Sequence, residues 1–495
     1  MGLPPTHTDA GNCLVRSPWN PKPGDQLVRQ PRQAELGPVT VAVEQRETKS
    51  RASATPLLLI YSFAALVLVA TLLLALPFTH HGENGLDHLF VALFTATSAV
   101  TVTGLVVQDT ATYWTTGGQL ILAGIIFVGG LGFMTLATFA IVLIGQQVTL
   151  SQRLLIQESF GGELMGTGHG GLVRLAVGIV TFAVVSQAVA FAILAIKFWA
   201  IYPPGQALLQ ALFQAVSAFN NAGFIILPHE EGMVAYQRDA VVIGVTAFMI
   251  FMGAISYGVL FDMVRHRKPR LFGLTTKLVL TMTAVLILLG VAIFLVFEYR
   301  NPETLGHLPV SQKVTTSLFE SVSGRTAGFS TLDYSETEQE TNFMMTGLMF
   351  IGGASASVAG GLKVNTLAVV LVAVFSTIRG ISATSAFGRE IPARQVRSAL
   401  VIGAIATAIV FVVVVSLSIT DGAFDFLDLF FEGVSAFGTV GLSTGVTPAL
   451  SQWGQLILIF AMFIGRVGPF TIGIAMAQQS DVDRYRFVEE RVTIG

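Results

Sequence analysis

The sequence predicts an all-α polytopic membrane protein built as four sequential repeats of helix, re-entrant loop and helix, and three observations support that fold class. The first is composition. Of 495 residues, 53% are hydrophobic and only 12% charged, with a mean hydropathy of +0.70, outside the range of ordinary soluble domains. The second is a short polar segment ending on glycine that occurs four times, at residues 98–105, 217–224, 323–329 and 435–442. Each copy opens on a serine four residues after a phenylalanine (Phe94, Phe213, Phe319, Phe431) and closes on Gly104, Gly223, Gly328 or Gly441. The third is an echo later in each unit: Phe127-Val128-Gly129, Phe251-Met252-Gly253, Phe350-Ile351-Gly352 and Phe463-Ile464-Gly465. The closing glycines lie roughly a hundred residues apart, too far for a soluble solenoid. Irregular backbone between apolar runs persists at membrane depth only when buried in protein or lining a watery cavity.

Taken in order, residues 1–54 carry Pro4, Pro5, Pro18, Pro21, Pro23 and Pro31 among polar side chains and are expected to form a disordered cytoplasmic tail. No short apolar core precedes Thr55, so a cleaved signal is not expected. The repeats follow at 55–150, 151–270, 271–394 and 395–479, with a cytoplasmic tail at 480–495. Full crossings are expected at 56–78, 119–145, 171–199, 239–260, 274–297, 341–378, 396–419 and 452–477. At about 1.5 Å per residue each can cover roughly 30 Å of hydrocarbon. Shorter apolar helices at 87–97, 206–219, 311–322 and 424–436 cannot cross and lead into the glycine-ended turns. His80, His81, Glu83 and Asn84 mark a water-facing loop after the first crossing.

Basic residues such as Arg46, Lys49, Arg51, Arg153, Arg265, Lys268, Arg379, Arg394 and Arg484 fall on the side that holds both termini. Both ends are therefore expected in the cytoplasm. The opposite loops carry Glu230, Glu231, Asp333, Asp421, Asp425 and Asp428, acids that either gather cations at an outer mouth or only keep the loops solvated. A formal net charge of -2 argues against a nucleic-acid partner, and Cys13 alone permits neither an internal disulfide nor a cysteine metal site. An intramembrane enzyme would need a nucleophile with its base, or paired acids, and no acid lies well inside any expected crossing.

Four such units in one chain would close into a ring with pseudo-fourfold symmetry around one pore, the turns facing one another. The candidate filter residues are Thr101, Val102, Thr103 and Gly104 in the first turn and Asn220, Asn221, Ala222 and Gly223 in the second. Thr326, Ala327 and Gly328 follow in the third, and Gly438, Thr439, Val440 and Gly441 in the fourth. Backbone carbonyls supply oxygen ligands to a dehydrated cation without burying a carboxylate. Glycine adopts positive φ freely and leaves the axis open, and each half-helix ends with its carbonyl dipoles toward a passing cation. No turn carries a carboxylate, which suits a monovalent ion better than Ca²⁺ or Mg²⁺.

Thr-Val-Thr-Gly-Leu in the first turn, Asn-Asn-Ala-Gly-Phe in the second and Arg-Thr-Ala-Gly-Phe in the third resemble the Trk/Ktr/HKT superfamily of potassium transporters. Gly-Arg-Val-Gly-Pro at 465–469 and the ending Glu489-Glu490-Arg491-Val492 resemble its KtrB branch most, and the likeness covers about residues 55–495. The resemblance implies a K⁺-conducting subunit with K⁺ held at the filter residues, as a homodimer in membrane lipid with one pore per protomer. It implies a cytosolic ring of nucleotide-binding regulatory (KtrA-like, RCK) subunits, with nucleotide on the partner alone and no covalently bound cofactor. In the family a serine in place of the first filter glycine accompanies sodium permeation; Gly104 favours potassium. Sodium stands as a candidate activator. A Na⁺-permeable or Na⁺-coupled transporter of the same superfamily is the alternative, and a secondary transporter of small solutes the more distant one.

Aligning the echoes puts Arg466 level with Gly130, Ala254 and Gly353. A lone cation among small siblings is costly in a membrane and faces a bundle interior or water. Arg466 is expected to project into the pore below the filter and raise the barrier to K⁺, in agreement with the resemblance; the alternative pairs it with an acid that fixes packing. Gly352, Gly353, Ala354, Ser355, Ala356, Ser357, Val358, Ala359, Gly360 and Gly361, ahead of Lys363, interrupt the third unit's second helix. Such a run makes a poor helix, and the resemblance supports a gating loop at about 352–363. The alternative is a kinked helix with Lys363 reaching cytoplasmic water. Asn220 and Asn221 either offer side-chain oxygens or end their half-helix. Arg325, inside the third turn, is expected to turn away and pair with Glu320 or Glu432. His169 and His307 are read as loop residues without metal-ligand spacing.

Overall fold

The computed structural model describes residues 55–82, 85–132, 169–227, 232–381 and 383–468. Both expected tails, Glu83 and Asn84, Arg153, Glu230, Glu231, and the closing motif from Pro469 onward lie outside the described residues.

Unit one comprises α1 (Thr55–Leu74), α2 (Leu86–Thr101), the single turn α3 (Thr110–Tyr113) and α4 (Thr116–Leu131). Unit two comprises α5 (His169–Trp199), α6 (Pro204–Phe219), α7 (Ala240–Ala254) and α8 (Tyr257–His266). Unit three has α9 (Leu274–Phe297), α10 (Val310–Ser323), α11 (Gln339–Phe350) and α12 (Val364–Ile378), then a two-stranded hairpin, β1 (Ser385–Ala386) and β2 (Arg389–Glu390). Unit four is α13 (Ala393–Thr420), α14 (Phe426–Gly438) and α15 (Gln452–Val467).

Polar caps start the second helix of three units. Thr115 Oγ1 accepts from the Gly118 amide at 3.2 Å, Asp239 Oδ1 from Val241 and Val242 at 3.0 and 3.2 Å, and Ser451 Oγ from Gly454 at 3.1 Å. Each satisfies helix-terminal N–H groups that have no intrahelical partner. The phenylalanine that opens each signature is a packing wedge: Phe94, Phe213, Phe319 and Phe431 are all 0 or 1% exposed. The echo glycines have an equally specific cause. A Cβ on Gly129, Gly253 or Gly465 would stand 2.3, 1.9 or 1.9 Å from the carbonyl oxygen of Val100, Phe219 or Phe437, near the end of the half-helix in the same unit. Only hydrogen fits there, so α4, α7 and α15 are drawn tightly against the half-helices.

Among the described residues three helical stretches are long and apolar enough to cross a bilayer, Val177–Trp199, Leu274–Phe297 and Ala393–Thr420. The expected continuous crossing at 239–260 is instead broken, α7 and α8 meeting at 95°. Ser256 caps the new helix by accepting from the Gly258 amide at 3.2 Å, and the Ala254 carbonyl freed by the break accepts from Ala354 at 3.0 Å. The interruption of 341–378 appears as expected, between α11 and α12. Half-helices α2 and α14 run on to Thr101 and Gly438, beyond their expected ends. His169 begins α5 rather than lying in a loop. His80 does not face water: it is 6% exposed, its ring stacked on His88 with centroids 3.4 Å apart.

Candidate functional site

Each glycine-ended turn is tied by its opening serine. Ser98 and Ser435 accept from the amides of Gly104 and Gly441 at 3.0 and 3.1 Å, whereas Ser217 and Ser323 donate to the carbonyls of Phe224 and Phe329 at 2.8 and 2.5 Å. The same serines accept, through their carbonyls, from Thr103, Val440, Ala222 and Ala327 at 2.8 to 2.9 Å. Val102, Asn221 and Thr439 are left-handed, with φ of 56°, 55° and 50°. For a β-branched residue that conformation costs on the order of 1–3 kcal/mol and persists only where its surroundings hold it. The third turn is one residue shorter between serine and glycine, and Gly324, which caps its helix, stays right-handed at φ -65° instead.

The closing glycines have φ of 96°, 70°, 71° and 93°, and they meet. A Cβ on Gly104 would stand 2.5 Å from the Ala222 carbonyl oxygen, and one on Gly223 2.7 Å from that of Ala327. One on Gly328 would stand 2.3 Å from the Val440 oxygen, and one on Gly441 2.0 Å from the Thr103 oxygen. The order is cyclic, unit one against two, two against three, three against four, and four back against one. The structure thus brings all four turns together, each glycine packed on the carbonyl before the next glycine. Thr101, Thr103, Ala222, Thr326, Ala327, Thr439 and Val440 are each 0 or 1% exposed, and the hydroxyls of Thr101 and Thr103 lie 2.8 Å apart.

Of the two asparagines, Asn220 donates from Nδ2 back to the Val216 carbonyl at 2.8 Å, ending α6. The Asn221 side chain lies 2.9 Å from Thr326 Oγ1, where its oxygen accepts while its nitrogen donates to Ile250 and Ala218 carbonyls at 3.1 and 3.2 Å. It ties the second turn to the third.

Arg325 departs from its expected pairing. It is 1% exposed, and its Nε and Nη1 have no hydrogen-bond partner among the described residues. Glu320 is occupied by Thr331 and Tyr334, and Glu432 by Thr444 and Thr447, each within its own unit. Sequence reasoning treated the two acids only as partners for an arginine. Their shared offset from the turn serines was the signal that could have found their real contacts.

The interrupted segment of unit three forms a loop closed at its neck by Gly352, whose amide donates to the Leu362 carbonyl at 2.8 Å, and by Leu362, which donates to Phe350 at 3.2 Å. The Ala354 and Val358 amides donate to Ala254 and Gly253 of unit two at 3.0 and 3.3 Å, and the Gly361 amide to Gly465 of unit four at 3.3 Å. Gly360 lies against the filter candidate Thr439: a Cβ there would stand 2.1 Å from its Oγ1. Ser355 donates from its amide to Asn365 Oδ1 at 3.1 Å, and Ala356 holds φ 60°. Lys363 turns back over the loop, its ammonium bonding to the Ala359 carbonyl and 3.4 Å from that of Gly360.

Arg466 completes the arrangement. Nη1 donates to Val358 of the loop, and Nη2 to the Gly129 carbonyl of unit one at 2.5 Å, with the Gly130 carbonyl at 3.5 Å. Its partners are carbonyls, not the acid of the alternative reading. Loop and guanidinium together bridge all four units. A cavity of about 210 Å³ is bounded by Gly130, Gly253, Val358, Lys363 and Arg466.

The family model for TrkH, a cation transport protein, matches residues 39–485. The Ktr system potassium uptake protein B of Bacillus subtilis is 40% identical over 430 residues, covering 86% of this chain and 94% of that protein. The protein of the same name from Vibrio alginolyticus is 35% identical, covering 86% and 91%. The potassium/sodium uptake protein NtpJ of Enterococcus hirae is 34% identical, covering 88% and 95%. Among solved structures, the potassium transporter TrkH from Vibrio parahaemolyticus superposes with a TM-score of 0.65 at 17% identity, covering 88% of this chain and 86% of that one.

Proposed function

Because the chain belongs to the TrkH family of cation transport proteins, we propose that it is the ion-conducting subunit of a Ktr-type potassium uptake system of the plasma membrane. The observation that supports this most is the cyclic contact of Gly104, Gly223, Gly328 and Gly441 with the neighbouring units' carbonyls. In this reading the four repeats surround one pore with pseudo-fourfold symmetry. K⁺ loses water to carbonyls of 101–104, 220–223, 326–328 and 438–441, neutral ligands in numbers that suit a monovalent cation. The half-helices direct their carbonyl ends toward the ion. The loop at 352–363, with Arg466, closes the path below.

Both termini face the cytoplasm in this reading, two copies assemble in the membrane, and control comes from a separate cytosolic nucleotide-binding ring. The naming of the relatives as one protein of a system supports such a partner. Sodium permeation is the second reading, favoured by the likeness to the potassium/sodium uptake protein of Enterococcus hirae.

Uptake of Rb⁺ and Na⁺ by a strain lacking its own potassium systems tests the proposal. The native chain should restore Rb⁺ uptake with little Na⁺ entry; absence of Rb⁺ uptake from protein that reaches the membrane would overturn it. Gly104→Ser places a Cβ 2.5 Å from the Ala222 oxygen at φ +96°. That displacement is expected to cut the preference for K⁺ over Na⁺ on the order of tenfold, equivalent to about 1.4 kcal/mol.

A further inference from the structure

Half-helices α10 and α14 each carry a glutamate three residues before the turn serine, Glu320 before Ser323 and Glu432 before Ser435. Both are 0% exposed. Each carboxylate reaches the segment that leaves its closing glycine, and the offsets match. Two residues after Gly328, the Ser330 hydroxyl donates to the Leu332 carbonyl at 2.6 Å and lies 3.2 Å from Glu320; three after, the Thr331 amide and hydroxyl donate to Glu320 at 2.6 and 2.8 Å; six after, the Tyr334 hydroxyl donates at 3.0 Å. Two residues after Gly441, the Ser443 hydroxyl donates to Glu432 at 2.5 Å; three after, the Thr444 amide donates at 3.0 Å; six after, the Thr447 hydroxyl donates.

Among the described residues, units one and two have no such tie. Thr95 and Gln214 stand where the glutamates would, and Val106, Val107, Ile225 and Ile226 lack the side-chain hydroxyls found at the matching positions of units three and four. Gln214 turns to Thr246 Oγ1 at 3.3 Å instead. A carboxylate is acceptor-only, and several donors converging on it form a stronger, more directional tie than apolar contact.

We propose that Glu320 and Glu432 are positioning residues that set the ion preference of the four turns. They fix the hairpins carrying the Ala327 and Val440 carbonyls on two adjacent sides of the ring, so those sides cannot close around a smaller cation. The units without glutamates supply the adjustable sides. This rests on the filter reading above.

The test compares Rb⁺ and Na⁺ uptake over a range of concentrations for the full-length chain and for Glu320→Gln, Glu432→Gln and Thr447→Val, with Gly104→Ser alongside. Glutamine keeps the length but turns an amide group toward donors; Thr447→Val removes one donor and leaves the glutamate. Each Gln variant should lower the Rb⁺ over Na⁺ preference about tenfold and raise the half-saturating Rb⁺ concentration, and Thr447→Val should do so about threefold. Proportional loss of both fluxes at unchanged half-saturation would mean that the glutamates only support the fold, and would overturn the proposal. Should the Gln variants not reach the membrane, an unchanged preference in Thr447→Val overturns it alone. A shift in Gly104→Ser without one in the glutamate variants defeats this inference and leaves the filter reading standing; no shift in either defeats the filter reading itself.

Discussion

On the proposed reading, in which the Arg466 guanidinium lines the ion path, Arg466→Ala is expected to raise Rb⁺ uptake roughly tenfold at matched membrane expression, because it removes a fixed positive charge. A unit charge about 5 Å from a cation in surroundings of effective dielectric about 20 opposes passage by roughly 3 kcal/mol, more than a hundredfold if it acted alone. The loop remains beneath the turns, so the observable gain is smaller. Arg466 also holds the loop at Val358 and unit one at Gly129. Lysine preserves the charge but lacks the planar fork that reaches both, so Arg466→Lys should release less flux than Arg466→Ala. Unchanged or lower flux from a well-folded Arg466→Ala variant would remove the guanidinium from the barrier.

On the proposed gating role of the loop, deleting 354–360 should leave uptake high and independent of the proposed regulatory partner, with basal flux up by about tenfold or more. The geometry allows the excision. Gly352 and Leu362 are already joined by a 2.8 Å hydrogen bond, and a Cβ on Gly352 would stand 2.0 Å from the Gly360 oxygen, so Gly353 can be rejoined to Gly361 with α11 and α12 held in place. The deletion also withdraws Gly360 from Thr439 and the loop amides from Gly253 and Ala254. Fully regulated, wild-type flux in the shortened chain would show that the loop is only a connector. Rb⁺ uptake with and without the partner subunit distinguishes the outcomes.

The ring of turns was legible in the sequence because repetition in register is a long-range signal carried by local residues. Serine, phenylalanine and glycine recur since each copy needs a tie, a wedge and a close approach, although the serine hydroxyl accepts in units one and four and donates in units two and three. The broken helix of unit three was legible for a similar reason, two Gly-Gly pairs bracketing small residues. The break at Ile255 and Ser256 was not. Its stretch is apolar and helix-compatible, and the chain leaves the helix there because Gly253 and Ala254 carbonyls serve the loop of another unit, a tertiary demand that overrides local propensity. Pairing Arg325 with Glu320 or Glu432 failed because opposite charge is a weak guide inside a protein where hydroxyls and amides compete for each carboxylate. Offsets counted from Gly328 and Gly441 would have pointed to those donors. His80 was hidden by the reverse error: polar residues between crossings suggested water, whereas its ring stacks on His88 and both are buried.

The most direct measurement is the position of a heavy monovalent ion in crystals of the protein equilibrated with thallium, whose anomalous signal marks a K⁺-like cation. One strong peak should lie on the axis enclosed by the Thr103, Ala222, Ala327 and Val440 carbonyls. Thallium bound elsewhere, with that axis empty in protein that still transports Rb⁺, would contradict a filter made by these four turns.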